Sequence, residues 1–265
     1  MGELHMPMNS AGHRDGVNGQ FERRWRARFE RFALTGADDA AIAGWSRNGL
    51  DARVRNFRRA WSGDRPGALW LDVGCGAGTY ARLLAERGLH VVGMDYSLPT
   101  LARARDRSAS VHAWCVADVT ALPVGANAFD GVLCFGVSQA LADSAPAVEA
   151  LFAAVRPGGQ VWIDALNAWC LPNTMRRLAA WILGRPARLR YESPRRLKSL
   201  VAGNGGVDVS LYWVPILPQR WLRFQAAFEH PLALRLMHAM PWLGALLSHA
   251  FVICARRAPN REARP

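Results

Sequence analysis

The five cysteines, Cys75, Cys115, Cys134, Cys170 and Cys254, include no C-x-x-C pair. The sequence therefore offers neither a disulfide framework nor a zinc-binding spacing, and no metal is expected. Lysine is nearly missing: 32 of the 33 basic residues are Arg, with Lys198 alone. So uniform a choice reads as a compositional bias rather than as 32 separate demands for bidentate hydrogen bonding. Internal repeats and low-complexity tracts are missing too, which excludes solenoid and fibrous architectures. The first twenty residues hold no apolar h-region, so no signal peptide is visible and the cytoplasm is the expected compartment. Residues 236–255 lack Asp, Glu, Lys and Arg. Their length suits a bilayer, but Pro241, His238, His249 and the strand-like Phe251-Val252-Ile253-Cys254-Ala255 argue against a span.

What is present is a chain of 265 residues, 51% hydrophobic and 20% charged. That is one large domain, or one domain with an embellishment, and not a disordered polymer. The formal charge of +12 is unevenly spread: residues 1–70 carry +4, residues 71–167 carry −3 and residues 168–265 carry +11. The last third is thus the part suited to an anionic surface.

Residues 1–20 are polar and aperiodic and read as a disordered leader, as does the tail 258–265. Residues 21–66 read as a helical cap. Phe21, Trp25, Phe29 and Phe32 recur at spacings of four and three, and a second helix, 54–61, follows a break at Asn48-Gly49. Residues 67–257 form the main domain. Within it apolar runs at 68–73, 90–95, 111–117, 130–135 and 159–165 alternate with helical segments at 79–87, 99–106 and 146–155. That alternation is the mark of β-α-β units and a parallel sheet. Two further strands, 207–214 and 251–255, follow a helix capped by Ser193. The expected fold is α/β: a Rossmann-like, doubly wound, mostly parallel seven-stranded sheet with helices on both faces and a C-terminal insert.

The sharpest motif is Leu71-Asp72-Val73-Gly74-Cys75-Gly76-Ala77-Gly78-Thr79, a glycine-rich turn between the first strand and a helix. Such a turn lets a ligand lie against bare main chain at the carboxyl end of the sheet. Asp95 ends the second strand, where an acid accepts from both hydroxyls of a ribose. Asp118 follows the third strand, placed to accept from an exocyclic amine. Asp72 beside the loop disfavours a diphosphate and favours a ligand with a cationic group.

These motifs, together with Phe129-Asp130-Gly131-Val132 and Arg156-Pro157-Gly158-Gly159, resemble the class I S-adenosylmethionine-dependent methyltransferases, especially the type-11-like group. The resemblance covers residues 68–165. It implies that S-adenosylmethionine is the cofactor, held by Asp72, Gly74, Cys75, Gly76 and Gly78 at the methionine moiety, and by Asp95 at the ribose. Ala117, Asp118 and Val119 would lie at the adenine, Tyr96 would pack on it, and Phe135 would lie near the methyl donor. Many relatives carry a His shortly after the fourth strand. Here the stretch reads Gly136-Val137-Ser138-Gln139-Ala140, and Gln139 cannot act as a base. Asn167, loosely similar in position to the asparagine of quinone-precursor O-methyltransferases, is the second candidate catalytic residue. His230, His238 and His249 lie where a C-terminal lid could bring them over the site.

The segments 168–206 and 215–250 are expected to shape the acceptor pocket. Trp221, Phe224 and Phe228, then Leu232, Leu236, Met240 and Leu243, are spaced as one apolar stripe, read first as core and second as a lid. The expected reaction methylates an O, N or C nucleophile of a small lipophilic or aromatic metabolite, with O-methylation favoured. Two alternatives remain open at this point. One is a peripheral-membrane lipid or quinone-precursor methyltransferase, with the basic, Trp-rich last third lying on anionic membrane. The other is a non-catalytic S-adenosylmethionine-binding regulator. Nucleic acid is disfavoured, because no RNA-binding motif or dense Lys/Arg and aromatic tract occurs.

Overall fold

The computed structural model describes residues 10–185 and 189–259, with the backbone alone for residues 10–18. Three helices lead in: α1 (Ser10–Thr35), α2 (Asp39–Ile42) and α3 (Arg47–Ala60). There follow β1 (Leu69–Val73), α4 (Thr79–Ala85), β2 (His90–Asp95), α5 (Leu98–Asp106), β3 (Ala113–Val116) and β4 (Phe129–Cys134). Then come α6 (Ala145–Ala154), β5 (Val155–Leu166), α7 (Leu171–Ile182), α8 (Pro194–Gly203) and β6 (Gly206–Val214). The chain continues through α9 (Gln225–Phe228), α10 (Pro231–Ala239), α11 (Pro241–Leu247) and β7 (Ala250–Arg257).

Among the described residues seven strands form one sheet in the order β3-β2-β1-β4-β5-β7-β6. The first five run parallel, and β7 pairs antiparallel with both β5 and β6. Because β1 lies between β2 and β4, the winding reverses there, and a crevice opens at the carboxyl ends of those strands. Alternate side chains along the strands feed two cores. Leu71, Val132, Val161, Ile163 and Phe251 face α6 and α8, while Trp70, Leu133, Trp162 and Val252 face α3 and α4.

Phe57 of α3 is fully buried, with ring centroids of Trp61, Tyr80, Phe135 and Trp162 at 5.2–5.7 Å. On the same helix Arg53 Nε donates to Asp164 Oδ2 at 2.8 Å, with both side chains almost wholly buried. The other carboxylate oxygen, Oδ1, accepts from the Gly136 N–H at 2.5 Å. One acid on β5 therefore joins the leading helices to the loop after β4.

Three expectations from the sequence are corrected. Helix α1 begins at Ser10, so much of the expected leader is helical, while residues 1–9 lie outside the described residues. A helix nucleated by the Trp25–Phe29–Phe32 stripe extends backwards at low cost, because lengthening needs no new nucleus. Asn48-Gly49 does not break a helix. Both sit in the first turn of α3, where the Ser46 hydroxyl accepts from the Gly49 N–H, and the breaks fall at Gly36 and Gly44. Residues 215–250 do not build one stripe, since Pro231 and Pro241 each restart a helix. Trp221, Phe224, Leu232 and Leu236 are exposed, and the insert is pinned to α3 by Arg55 and Arg59 on Glu229. The stretch 236–255 is thereby divided among α10, α11 and β7, and no described helix is long and apolar enough to cross a membrane. Of the tail 258–265, residues 260–265 lie outside the described residues.

Asp164→Ala leaves Arg53 buried without its counter-charge and should lower unfolding free energy by about 3–5 kcal/mol in denaturant melts. The paired replacement Arg53→Met with Asp164→Leu should recover much of that loss, because it removes both charges together.

Candidate active site

The glycine loop sits at the mouth of the crevice because its three glycines take positive φ, 68° at Gly74, 53° at Gly76 and 78° at Gly78. A Cβ at Gly76 would meet nothing closer than Ala43 at 3.7 Å, so this residue keeps the loop open toward the cleft. A Cβ at Gly78 would fall 2.7 Å from Trp114, and Gly78 does not line the cleft. Its work is to start α4 in a left-handed conformation.

Asp95 closes β2 and is buried. Its Oδ2 accepts from the Gly76 N–H at 3.1 Å and its Oδ1 from the Ser97 N–H at 2.9 Å. Burial pushes its carboxyl up to about 6, against the pull of those N–H groups. Asp72 lies beneath the loop and not in the cleft lining. Burial raises it to about 7, the Ala81 N–H lowers it, and its Oδ2 has no partner. The sequence placed Asp72 at the ligand. The structure instead puts it behind the loop, where it can act on a cation through the field and by holding α4.

The cleft encloses about 1020 Å³ including its solvent-open part. It is lined by Gly74, Cys75, Gly76, Asp95, Tyr96, Ala117, Asp118, Val119 and Phe135, so these nine expected residues come together. Asp118 is already engaged. Its Oδ1 accepts from the Thr120 N–H and hydroxyl, and its Oδ2 pairs with Arg26 of α1. Burial raises its carboxyl, but Thr120 and Arg26 outweigh burial and hold it below the usual range. Arg26 also lies over the Tyr96 ring at 5.4 Å.

The leading helices, read from the sequence as a cap, supply the outer wall of the cleft. Trp25, Arg26 and Phe29 of α1, Ile42 and Ala43 of the α2 turn, and Trp45 all face the cleft. Their signal was the aromatic stripe itself, read as packing. Tyr80, also missed, stands edge-on to Phe135 at 4.8 Å. Its hydroxyl and the Trp45 Nε1 have no partner among the described residues. These donors suit an amino-acid carboxylate, the aromatic faces suit a sulfonium, and Asp95 suits a ribose. The residues present thus fit the expected cofactor.

A second chamber of about 590 Å³, again including its solvent-open part, adjoins the first and shares Trp25 and Trp45 with it. Gln139, Arg53 and His249 meet there with Leu166, Leu189 and Ile216. Burial first, then Arg53 and Arg176, lowers the His249 imidazole to about 3. Asn167 is not in either chamber. Its Nδ2 donates to the Ala245 and Ser248 carbonyls and its Oδ1 accepts from Trp169 N–H, so its polar atoms are spent on backbone. His230 caps α10 and His238 hydrogen-bonds backbone carbonyls. Of the insert, only its two ends, Ile216 and His249, reach the second chamber, because Glu229 and Gln225 hold its middle against α3.

Residues 71–163 match the family described as a methyltransferase domain. The malonyl-[acyl-carrier protein] O-methyltransferase of Salmonella typhimurium is 41% identical over 103 residues, 39% of this chain and 41% of that protein. The ubiquinone biosynthesis O-methyltransferase of Idiomarina loihiensis is 31% identical over 118 residues, 43% of this chain and 45% of that protein. The chain therefore spans less than half the length of these curated relatives. In fold it is similar to phosphoethanolamine N-methyltransferase 2 of Haemonchus contortus, solved with S-adenosylhomocysteine. The TM-score is 0.58 at 21% identity, over 79% of this chain and 53% of that one.

Asp95→Ala should weaken S-adenosylhomocysteine binding by about 1–3 kcal/mol in calorimetry. The pH dependence has a definite sign. Ribose hydroxyls donate to the ionised carboxylate, whereas the free protein holds the proton up to about pH 6. Binding therefore releases a proton below that pH, and affinity should fall there by up to about tenfold per unit. An affinity that stays flat down to pH 5 in the wild type would remove Asp95 from the ribose site.

Proposed function

We propose that this chain, whose residues 71–163 form a class I S-adenosylmethionine-dependent methyltransferase domain of the type-11-like group, methylates a small lipophilic or aromatic metabolite carrying an anionic nucleophile. The observation that carries this reading is the second chamber, which shares Trp25 and Trp45 with the cofactor cleft and sets the apolar Leu166, Leu189 and Ile216 beside the polar Arg53, Gln139 and His249.

S-adenosylmethionine, when bound, supplies an electrophilic methyl on a sulfonium. The chain's part is to align, to exclude water and to handle any proton. Tyr80 and Phe135 present aromatic walls to the cofactor cleft, Trp45 stands between the two chambers, and Phe57 fixes Phe135 and Tyr80 from behind. His249 is neutral throughout the physiological range, but an imidazole whose conjugate acid is so strong cannot retain a proton taken from an alcohol. It can accept a hydrogen bond and orient the acceptor. The nucleophile should therefore arrive without its proton, as a carboxylate or an acidic phenol.

Arg53 is placed to receive such an anion. Its Nε is on Asp164 and its Nη1 on the Gly49 carbonyl, while Nη2 has no acceptor among the described residues. Its guanidinium lies 4.4 Å over the Trp45 ring, which fixes its plane. O-methyl transfer is also the chemistry in the names of both curated relatives, which supports an oxygen nucleophile here.

Incubation of the purified chain with methyl-labelled S-adenosylmethionine and a metabolite extract should label an acidic small molecule as its methyl ester or ether. His249→Ala should cut kcat/KM on the order of tenfold to a hundredfold while leaving S-adenosylhomocysteine affinity unchanged. At saturating cofactor the rate should show no inflection near pH 6.5, since His249 does not titrate there. Tight cofactor binding with no labelled product from any extract would favour the regulator reading instead.

A further inference from the structure

Helix α7 is amphipathic in the wrong sense for a packed helix. At 100° per residue, Leu171, Met175, Leu178 and Ile182 fall on one stripe through spacings of four, three and four. All four are more than half exposed, Ile182 at 67%. The opposite side is the one that meets the protein. Asn173 there is fully buried, with its Nδ2 donating to the carbonyls of Asn167 and His249, and Ala180 is half-buried. No described strand or helix lies along the length of α7. The helix thus turns its small and polar residues inward and its large apolar ones to solvent.

The borders of that stripe say what covers it. Arg176 and Arg177 flank the inward side on left and right, both exposed, and neither forms an ion pair among the described residues. The helix carries no acid, and Arg185 follows it, also exposed. Trp169 and Trp181, 58% and 78% exposed, stand at the two ends of the stripe. An apolar face with Arg on both flanks of the opposite side and Trp at its limits has the layering of a membrane interface, acyl chains below and phosphates above at the level of the guanidinium groups. A second copy of the chain is the poorer occupant. Pairing of α7 with itself across a two-fold would offer the Arg of either helix no acid as a counter-charge.

We propose that α7 is an interfacial helix that docks the protein on an anionic lipid bilayer, lying in the plane of the headgroups with Leu171, Met175, Leu178 and Ile182 inserted. At 1.5 Å per residue its twelve residues span roughly 18 Å, too short to cross and long enough to lie along the surface. The docking stands apart from methyl transfer, since these residues line neither chamber.

The test is flotation of the full chain with vesicles of phosphatidylcholine alone or with about a third phosphatidylglycerol, alongside quenching of Trp fluorescence by brominated acyl chains. The wild type should float with the anionic vesicles and be quenched by them. Leu178→Glu with Ile182→Glu should cut partitioning at least about tenfold, and each of Arg176→Gln and Arg177→Gln roughly fivefold. S-adenosylhomocysteine affinity and melting temperature should stay at wild-type values in every variant, which separates lost docking from lost fold. The proposal is overturned if the wild type stays at the bottom of the gradient with anionic vesicles, or if the double Glu variant floats as well as the wild type. It is equally overturned if the chain is a dimer in solution that the double Glu variant dissociates, or if α7 retains it on poly-glutamate but not on vesicles.

Discussion

The buried ion pair between Arg53 and Asp164 is the constraint on which the rest of the site depends. Removing two charges from water costs several kcal/mol per ion, so the pair persists only where its remaining hydrogen-bonding capacity is met. Here Asp164 takes the Gly136 N–H on its second oxygen, and Arg53 gives Nη1 to the Gly49 carbonyl. Those two bonds fix the loop after β4 and the first turn of α3 relative to β5. The Trp45 ring under the guanidinium is fixed by the same pair, and Trp45 is the wall between the two chambers. A charge pair that contributes little net stability therefore decides where the chambers meet.

A second consequence concerns the leading helices. With α3 locked to the sheet, α2 and the end of α1 are brought over the crevice, held by Asp39 with Arg82 and Arg107 and by Arg103 on the Ala33 and Gly36 carbonyls. The end of the cleft at Asp118 and Tyr96 then lies under Arg26, which pairs with the first and covers the second. A base entering there must share Asp118 with a guanidinium. It gains a cationic plane to stack on in return.

The sheet was legible because it is written in short-range patterns. The run from Gly131 to Phe135 is continuously apolar since both faces of β4 are covered, and the residues from Val91 to Asp95 end in an acid at the strand's carboxyl end. Asp95, Tyr96 and the glycine loop could be placed for the same reason: each ends a strand or begins directly after one. Asn167 satisfies that rule equally well, and there it misleads. Only the return of α11 to the Ser248 and Ala245 carbonyls, some 80 positions on, shows that its amide is used structurally. Trp25, Trp45 and Arg53 were illegible for the converse reason. Trp25 and Arg53 sit on helices like any other amphipathic pair, Trp45 lies in the connection between α2 and α3, and their role comes from the cleft and from contact with β5, distant in the chain. The stripe 221–243 has correct periodicity but is cut by Pro231 and Pro241, and which of its faces is covered depends on Glu229 reaching α3.

Charge is segregated in the fold as it is in the sequence. The middle third, net negative, places Asp72 and Asp95 at neighbouring strand ends, where burial raises both carboxyls, and each acid raises the other or a nearby thiol. An acid whose folded value lies above its unfolded one lowers stability as pH rises between the two, here from about 4 to about 7. Above that window the free protein holds two incompletely compensated charges beneath a glycine loop. A sulfonium near Asp72 and a ribose on Asp95 would relieve both, and cofactor affinity would then include relief of an electrostatic cost already present in the empty fold. The demethylated by-product, with its ribose on Asp95 but no sulfonium, would recover less of that cost at the pH where Asp72 is ionised, an asymmetry that would favour product release over retention.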